Sequence, residues 1–373
     1  MTPREKRSRG RLAGRDSATR ARRETVAALR EEYGAALADG PQAFFEPLRH
    51  SCPWCGSVRI GGHLLTGDLI QHKPGRFRVE RCHSCGHLFQ NPRLNARGLD
   101  FYYRDFYDGL GEQQLDAMFA GRTRSYRRRA ASVRPHLVRP GLGGVKRWLD
   151  VGTGHGHFCE AARTLLPEVV FDGLDRSEGV EVAERRGRVE RGLRGGLTEL
   201  AGELAGAYDA VSLFHYLEHC TDPLRELEAA RTSLRPGGLL VVEVPDPESR
   251  YAHLLGRWWL PWLQPQHLHL LPVGNLRGAL SDQGFTVLAE QHRTAHEPVD
   301  LVAAVWLALE GAVPRDDMPW LVPTGPARRA LRGAALLAGV PALAAAALLD
   351  HAVAPFADRL GLCNAYRLVA RRD

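Results

Sequence analysis

Leu149-Asp150-Val151-Gly152-Thr153-Gly154-His155-Gly156 is an apolar strand end that breaks into a turn of alternate glycines, with an acid at the bend. Trp148 to Val151 supplies the strand, and Phe158 to Leu166 resumes at helical spacing, so the glycines lie where a cofactor can approach bare backbone. A dinucleotide fingerprint, Gly-x-Gly-x-x-Gly, requires glycine where this chain has His157. The spacing argues against a dehydrogenase and leaves Asp-x-Gly-x-Gly-x-Gly, with a bare structural turn as the bland alternative.

Downstream segments narrow the choice. Val169 to Leu174 is a second apolar run that ends in Asp175, one strand-helix-strand unit beyond the glycines. Ala207 to Phe214 reads as a further strand, followed by His215-Tyr216-Leu217-Glu218-His219 and then Asp222-Pro223. Leu234 to Pro245 holds a helix end, a Pro-Gly-Gly turn and a central strand. In this order the motifs resemble those of the class I S-adenosylmethionine (SAM)-dependent methyltransferases. The resemblance runs from Lys146 to Val287, and Tyr366 to Ala370 resembles the late antiparallel strand of the same sheet.

That resemblance implies a Rossmann-like α/β fold, a seven-stranded, mostly parallel sheet with helices on both faces, and SAM as cofactor. It implies that Gly152, Gly154 and Gly156 cradle SAM, that Asp150 favours its ammonium, and that Asp175 accepts the ribose hydroxyls. Phe214, at the end of the fourth strand, joins the cofactor set. Many relatives place an acid after the third strand to bind adenine, whereas this chain has Gly195-Gly196-Leu197-Thr198-Glu199. Leu197 is therefore expected to pack on adenine.

A second feature precedes the core: Cys52-Pro53-Trp54-Cys55 and Cys82-His83-Ser84-Cys85. Two Cys-x-x-Cys pairs around a strand-like Phe77 to Glu80 read as a small zinc ribbon, each pair supplying half a tetrahedron of thiolates. A disulfide pair is the alternative, which a reducing compartment disfavours. Four thiolates leave no open coordination position, so the expected zinc is structural. The ribbon is expected to pack on the core and to shape one wall of the substrate cleft. Asn91-Pro92 and the aromatic Phe101 to Tyr107 cluster resemble the arrangement ahead of the core in bacterial relatives. That cluster reads equally as a lid over the cofactor or as a helix packed on the core.

The 373 residues suffice for one α/β domain with smaller additions. The divisions expected are 1–45, a basic arm and short helix; 46–95, the ribbon; 96–145, a helical linker or lid; 146–290, the methyltransferase core; and 291–373, a helical insertion and the final strand. Net charge is +7, and only Lys6, Lys73 and Lys146 are lysines among the 50 basic residues, so arginine bias accounts for part of it. Met1 to Arg23 is arginine-studded and lacks the apolar run of a signal peptide, giving a cytoplasmic expectation. The arm, together with Arg127-Arg128-Arg129, also invites an RNA-binding reading, although a solvated tail and an exposed helix face explain both.

The acceptor side is expected in the loops after the strand C-termini, above all Val244 to Leu271, with its Trp258, Trp259, Trp262, His267 and His269. Methyl transfer from a sulfonium chiefly needs positioning, and a hydroxyl acceptor adds a base; His215 and His267 are the candidates. His219 reads as a structural residue of its motif. A small-molecule acceptor, a sugar or secondary metabolite methylated on O, N or C, is the leading reading, and an RNA methyltransferase is the alternative. Ala327 to Leu349 is apolar, but Pro341 and flanking arginines interrupt it, so no transmembrane span is expected. A helical insertion over the site or core is expected instead, with peripheral membrane contact left open. Oligomeric state is not readable from the chain.

Overall fold

The computed structural model describes residues 24–104, 123–139, 143–313, 315 and 318–373. The Met1 to Arg23 arm and Phe106 and Tyr107 of the aromatic cluster lie outside them. After a helix over 24–36, three antiparallel strands form the N-terminal module: β1 (Ile60–Thr66), β2 (Phe77–Cys82) and β3 (Leu88–Gln90). A minimal hairpin, β4 (Val138–Arg139) with β5 (Gly143–Gly144), leads into the core.

The core strands are β6 (Arg147–Val151), β7 (Val170–Asp175), β8 (Gly192–Arg194), β9 (Tyr208–Phe214) and β10 (Leu234–Pro245). After the two-residue β11 (His269–Leu270) come β12 (Phe285–Gln291) and β13 (Ala365–Arg372). The sheet order is β12-β13-β10-β9-β6-β7-β8. Strands β8, β7, β6, β9 and β10 pair in parallel, and β13 enters antiparallel between β10 and β12. This is the Rossmann-like methyltransferase fold, with an N-terminal cysteine cluster and a long C-terminal helix added.

Both sheet faces are covered, which is why the central strands read as nearly unbroken apolar runs. Side chains alternate between two cores. Leu149, Val151, Val211, Leu213, Leu240, Val242 and Leu368 enter one, while Trp148, Ala210, Leu239, Val241 and Val369 enter the other. The glycine turn follows β6 directly. Gly156 sits at φ 73°, and a Cβ there would come within 2.9 Å of Ala183 Cβ. Gly156→Ala is therefore expected to cost about 2 kcal/mol, from left-handed strain plus overpacking, and to lower the midpoint of urea unfolding. A wild-type midpoint would show that the turn relaxes freely.

The N-terminal module is not a separate appendage. Strand β11, from the loop after β10, pairs antiparallel with β3, His269 opposite Phe89 and Leu270 opposite Leu88. It becomes the fourth strand of the module's sheet. Val79 and Leu88 share a core with Tyr251, Trp259, Trp262 and Leu270, so the tryptophan loop fills the space under the ribbon. Tyr33, Phe44, Phe77, Phe101 and Tyr102 form another core. Phe101 and Tyr102 are thus core residues of a packed helix, Ala96–Tyr103, and not a lid.

Two corrections concern the flanking helices. Arg129, on the helix Thr123–Val133, is buried and ion-paired with Glu243 (2.6 Å), and Arg128 pairs with Glu297 (3.2 Å). The arginine run is therefore not a purely solvated face. The C-terminal apolar run is one continuous helix, Pro326–Val353, that passes through Pro341. It packs antiparallel on the helix Asp300–Ala312, pinned near both ends. Asp350 accepts from the Leu301 and Val302 amides (3.0 and 2.9 Å), and Arg332 reaches both oxygens of Glu310 (2.7 Å each). Leu337 and Leu348 are each 73% exposed, so the helix shields little of the core. The stretch Pro326–Phe356 is long and apolar enough to cross a membrane by length and composition, because Pro341 does not interrupt it.

Candidate functional site: the C-terminal edge of the sheet

The three glycines lie at positive φ, 72° at Gly152, 51° at Gly154 and 73° at Gly156, so the chain winds through a conformation that only glycine adopts freely. Nothing lies within 4 Å of where a Gly154 Cβ would stand, leaving a bare backbone surface open to a ligand. Asp175, partly exposed at the end of β7, holds that surface in place. Its Oδ2 accepts from the Gly154 amide (2.8 Å), and its Oδ1 accepts from the Ser177 amide and hydroxyl (2.8 Å each). Asp150 is buried, with Oδ1 accepting from Ser212 Oγ (2.5 Å). Burial lifts its carboxyl to about 6, against the hydrogen bonds of Ser212 and Thr153 that favour the ionised form. An open glycine cradle with two carboxylates at its ends fits a SAM molecule, whose ammonium and ribose hydroxyls need acceptors.

Leu197 departs from expectation. Its side chain is fully buried among Leu149, Val151 and Leu174 and has no face to offer adenine. It follows Gly196 as the first residue of a short helix, which turns the apolar side chain inward. Phe214 is placed on the cradle side, edge-on to Phe158 (4.6 Å between centroids), with the Arg129 guanidinium 5.2 Å from its ring.

Beyond Phe214 the backbone bends sharply, with His215 at φ 50°. Its ring lies between two carboxylates: Nδ1 is 3.1 Å from Glu218 Oε1 and Nε2 is 3.2 Å from Glu243 Oε1. Burial opposes the charged imidazole, but the Glu218 and Glu243 bonds outweigh it and raise the pKa. His215 thus has both nitrogens engaged and no lone pair on offer. Glu243 is the hub, holding Arg129, Arg367 and His215 at once. Burial would push its carboxyl up, yet the two guanidiniums hold it well below the usual range.

Glu243 and Arg367 were not among the sequence candidates. The signal was present as single charges inside otherwise apolar strands, Leu239 to Pro245 and Ala365 to Ala370, since a charge buried in a central strand requires a partner.

His267 lies on the other wall, buried, with Nδ1 2.7 Å from the Pro261 carbonyl. A carbonyl only accepts, so Nδ1 carries the proton and Nε2 keeps its lone pair. Burial lowers its pKa to about 3, keeping it neutral. His219 stands edge-on to it, 4.6 Å between centroids, and Tyr103 Oη lies 2.7 Å from His219 Nδ1. The structure therefore brings His215 and His267 to the same edge, joined through Glu218 and His219.

Nearby, His292 spans Asp246 (3.3 Å) and Glu290 (3.0 Å), and the hydrogen bond it donates to Asp246, opposed by burial, raises its pKa from 6.5 to about 9. A histidine raised on folding stabilises fully below its unfolded pKa and loses that contribution as pH climbs through the folded value. Wild type is expected to lose about 1–2 kcal/mol relative to His292→Gln between pH 6 and pH 10, after screening of a partly exposed ring. Urea unfolding of both proteins at the two pH values checks this, and a pH-independent difference would exclude it.

In the N-terminal module, Cys52 Sγ lies 3.8 Å from Cys85 Sγ, and Cys55 Sγ lies 3.6 Å from Cys82 Sγ. A tetrahedron with metal–sulfur bonds of about 2.3 Å has edges of about 3.8 Å, so the four thiols fit one zinc ion. The Trp54 and Ser84 amides point at Cys52 and Cys82 Sγ (3.4 Å each), and Gly56 and Gly86 close each knuckle at positive φ.

With fold and site defined, residues 123–290 match the family model described as a methyltransferase domain. A ubiquinone biosynthesis O-methyltransferase of Azotobacter vinelandii is 28% identical over 131 residues, covering 33% of this chain and 56% of its own length. Another, of Paraburkholderia phymatum, is 35% identical over 99 residues, covering 25% and 41%. The chain spans about half the length of the curated relatives it matches. Among solved structures, a SAM-dependent methyltransferase of Archaeoglobus fulgidus superposes with TM-score 0.41 at 16% identity, over 69% of this chain and 98% of its own. An O-methyltransferase family protein of Burkholderia thailandensis gives 0.34 at 17%, over 53% and 57%. Over residues 123–290, then, the chain is similar to a methyltransferase domain.

Proposed function

We propose that this protein transfers the methyl group of SAM to an oxygen of a small-molecule acceptor. The observation that carries the reading is the open Gly154 backbone, braced by Asp175 and continuous with the polar edge at His215. When bound, SAM supplies an activated methyl group; the chain's own residues hold and orient. Gly152, Gly154 and Gly156 admit the cofactor, Asp150 favours its ammonium, Asp175 takes the ribose hydroxyls, and Phe214 flanks it. His215, fixed by Glu218 and Glu243, positions the acceptor beside the methyl group. His267 is the histidine of the pair that keeps a lone pair. The curated relatives being O-methyltransferases supports oxygen as the acceptor atom.

The cysteine quartet is proposed to hold a structural zinc ion that keeps β3 in register with β11 and so shapes the acceptor wall. A reducing, cytoplasmic setting is proposed with it, since such a setting keeps the four ligand cysteines available as thiolates. The exposed apolar face of the Pro326–Val353 helix supports contact with a lipid surface. The pairing of Arg128 with Glu297 and of Arg129 with Glu243 takes two arginines from the run that an RNA reading would use, which supports the small-molecule reading over it.

The test is to incubate the protein with methyl-labelled SAM and cell extract, then separate RNA, protein, lipid and small-metabolite fractions. Label is expected in small metabolites or lipids; label confined to RNA would overturn the reading.

A further inference from the structure

We propose that Glu218, His219 and His267 form a binding site for a first-row divalent metal ion at the C-terminal edge of β9, separate from the cysteine quartet. One donor atom from each of the three residues lies within 4.8 Å of the others. Donors bound to one ion at about 2.1 Å sit about 3–3.5 Å apart, so the widest spacing in the trio needs to contract by at most about 1.3–1.8 Å. Two imidazoles and one carboxylate are the donor set of Mn, Fe(II), Co and Zn sites.

Three further observations point to a ligand. Glu218 is fully buried, Oε1 is taken by His215, and Oε2 has no hydrogen-bond partner, a costly state for a carboxylate oxygen unless something binds it. His267 is oriented from behind by the Pro261 carbonyl, which fixes its lone pair on Nε2, and His219 is held by Tyr103 Oη, which itself donates to the Gln266 carbonyl (3.3 Å). Such outer contacts are how proteins aim histidine ligands. The two segments that supply the trio are also tied together, since the Leu268 amide donates to the Glu218 carbonyl (2.8 Å). Glu218 and His267 are buried while His219 is partly exposed, so three protein donors close one side and leave the side of His219 open to an incoming ligand.

The site does not depend on methyl transfer, and its test is a binding measurement on the full chain with the cysteine site zinc-loaded. Mn2+ is the probe, because a hard ion does not displace zinc from four thiolates. Titration followed by the loss of the free Mn2+ paramagnetic resonance signal is expected to show one ion per chain, with affinity at least tenfold weaker in Glu218→Gln and in His219→Gln. Circular dichroism establishes that each variant is folded, and His219→Gln, at the most exposed of the three positions, serves if Glu218→Gln is not. Folded wild type that takes up neither Mn2+ nor Co2+ beyond the cysteine-bound ion overturns the site, as do variants that bind like wild type. SAM calorimetry on the same samples separates the two proposals: metal uptake without SAM binding sinks methyl transfer alone, and SAM binding without metal uptake sinks the metal site alone.

Discussion

Cys82→Ser is expected to release the zinc ion and to unfold the N-terminal sheet while the methyltransferase core stays folded. Structural zinc binding in small modules is worth on the order of 10 kcal/mol of apparent free energy, and it is spent on folding the module. Loss of one thiolate opens the tetrahedron and exposes the remaining sulfurs. The consequence reaches the core because β3 pairs with β11. With β3 released, the amides of residues 77–90 and of His269 and Leu270 should lose protection from hydrogen exchange together. The Trp259 and Trp262 packing on Val79 and Leu88 goes with them. SAM affinity should change little, since the glycine turn follows β6 and is braced by Asp175 at the end of β7, away from β3, while turnover of the acceptor falls steeply. Metal analysis, hydrogen exchange and SAM calorimetry on one preparation test this. A metal-free protein whose residues 77–90 stay fully protected would remove the zinc assignment.

Asp175→Ala is expected to weaken SAM binding by more than a hundredfold. Two charge-assisted hydrogen bonds to ribose hydroxyls, at about 1.5 kcal/mol each, amount to about 3 kcal/mol. The same carboxylate also restrains the turn through the Gly154 amide and the loop through Ser177, so its removal loosens the cradle as well. Asp175→Asn keeps one acceptor oxygen and should fall between the two. Asp150 adds a pH signature. Burial places its carboxyl near 6, and the ammonium of SAM requires the ionised form, so affinity should drop about tenfold from pH 7 to pH 5. Unchanged affinity in both Asp175→Ala and Asp150→Ala would refute the cofactor assignment.

The legible parts of this protein are local. Each cysteine pair forms its knuckle within four residues, and the two meet through one hairpin. The glycine turn is likewise complete between Asp150 and Gly156, and its acid partner Asp175 follows after a single helix. Sheet composition was legible through resemblance, because the motifs occur in the family's chain order from β6 to β10, whereas the spatial order β12-β13-β10-β9-β6-β7-β8 appears only in the folded chain. What escaped sequence reading depended on burial. Leu197 was placed against adenine from its position alone, but a leucine at a helix start has no fixed face until the core around it forms. Pro341 looked like a break, although a helix resting on only one neighbour accommodates it.

By itself, then, the sequence determined two local constellations: an open glycine turn between two acids, and four thiols at ligand spacing. These depend on backbone conformations and side-chain types set within a few residues of each other. Tertiary structure alone decided the acceptor side. It pairs Phe89 with His269, places Arg129 and Arg367 on Glu243, and gathers Glu218, His219 and His267 around one point. Each of those contacts joins segments separated by dozens of residues or more, and no local pattern encodes them. They arise because charges and imidazoles carried into the interior by apolar strands must find partners there.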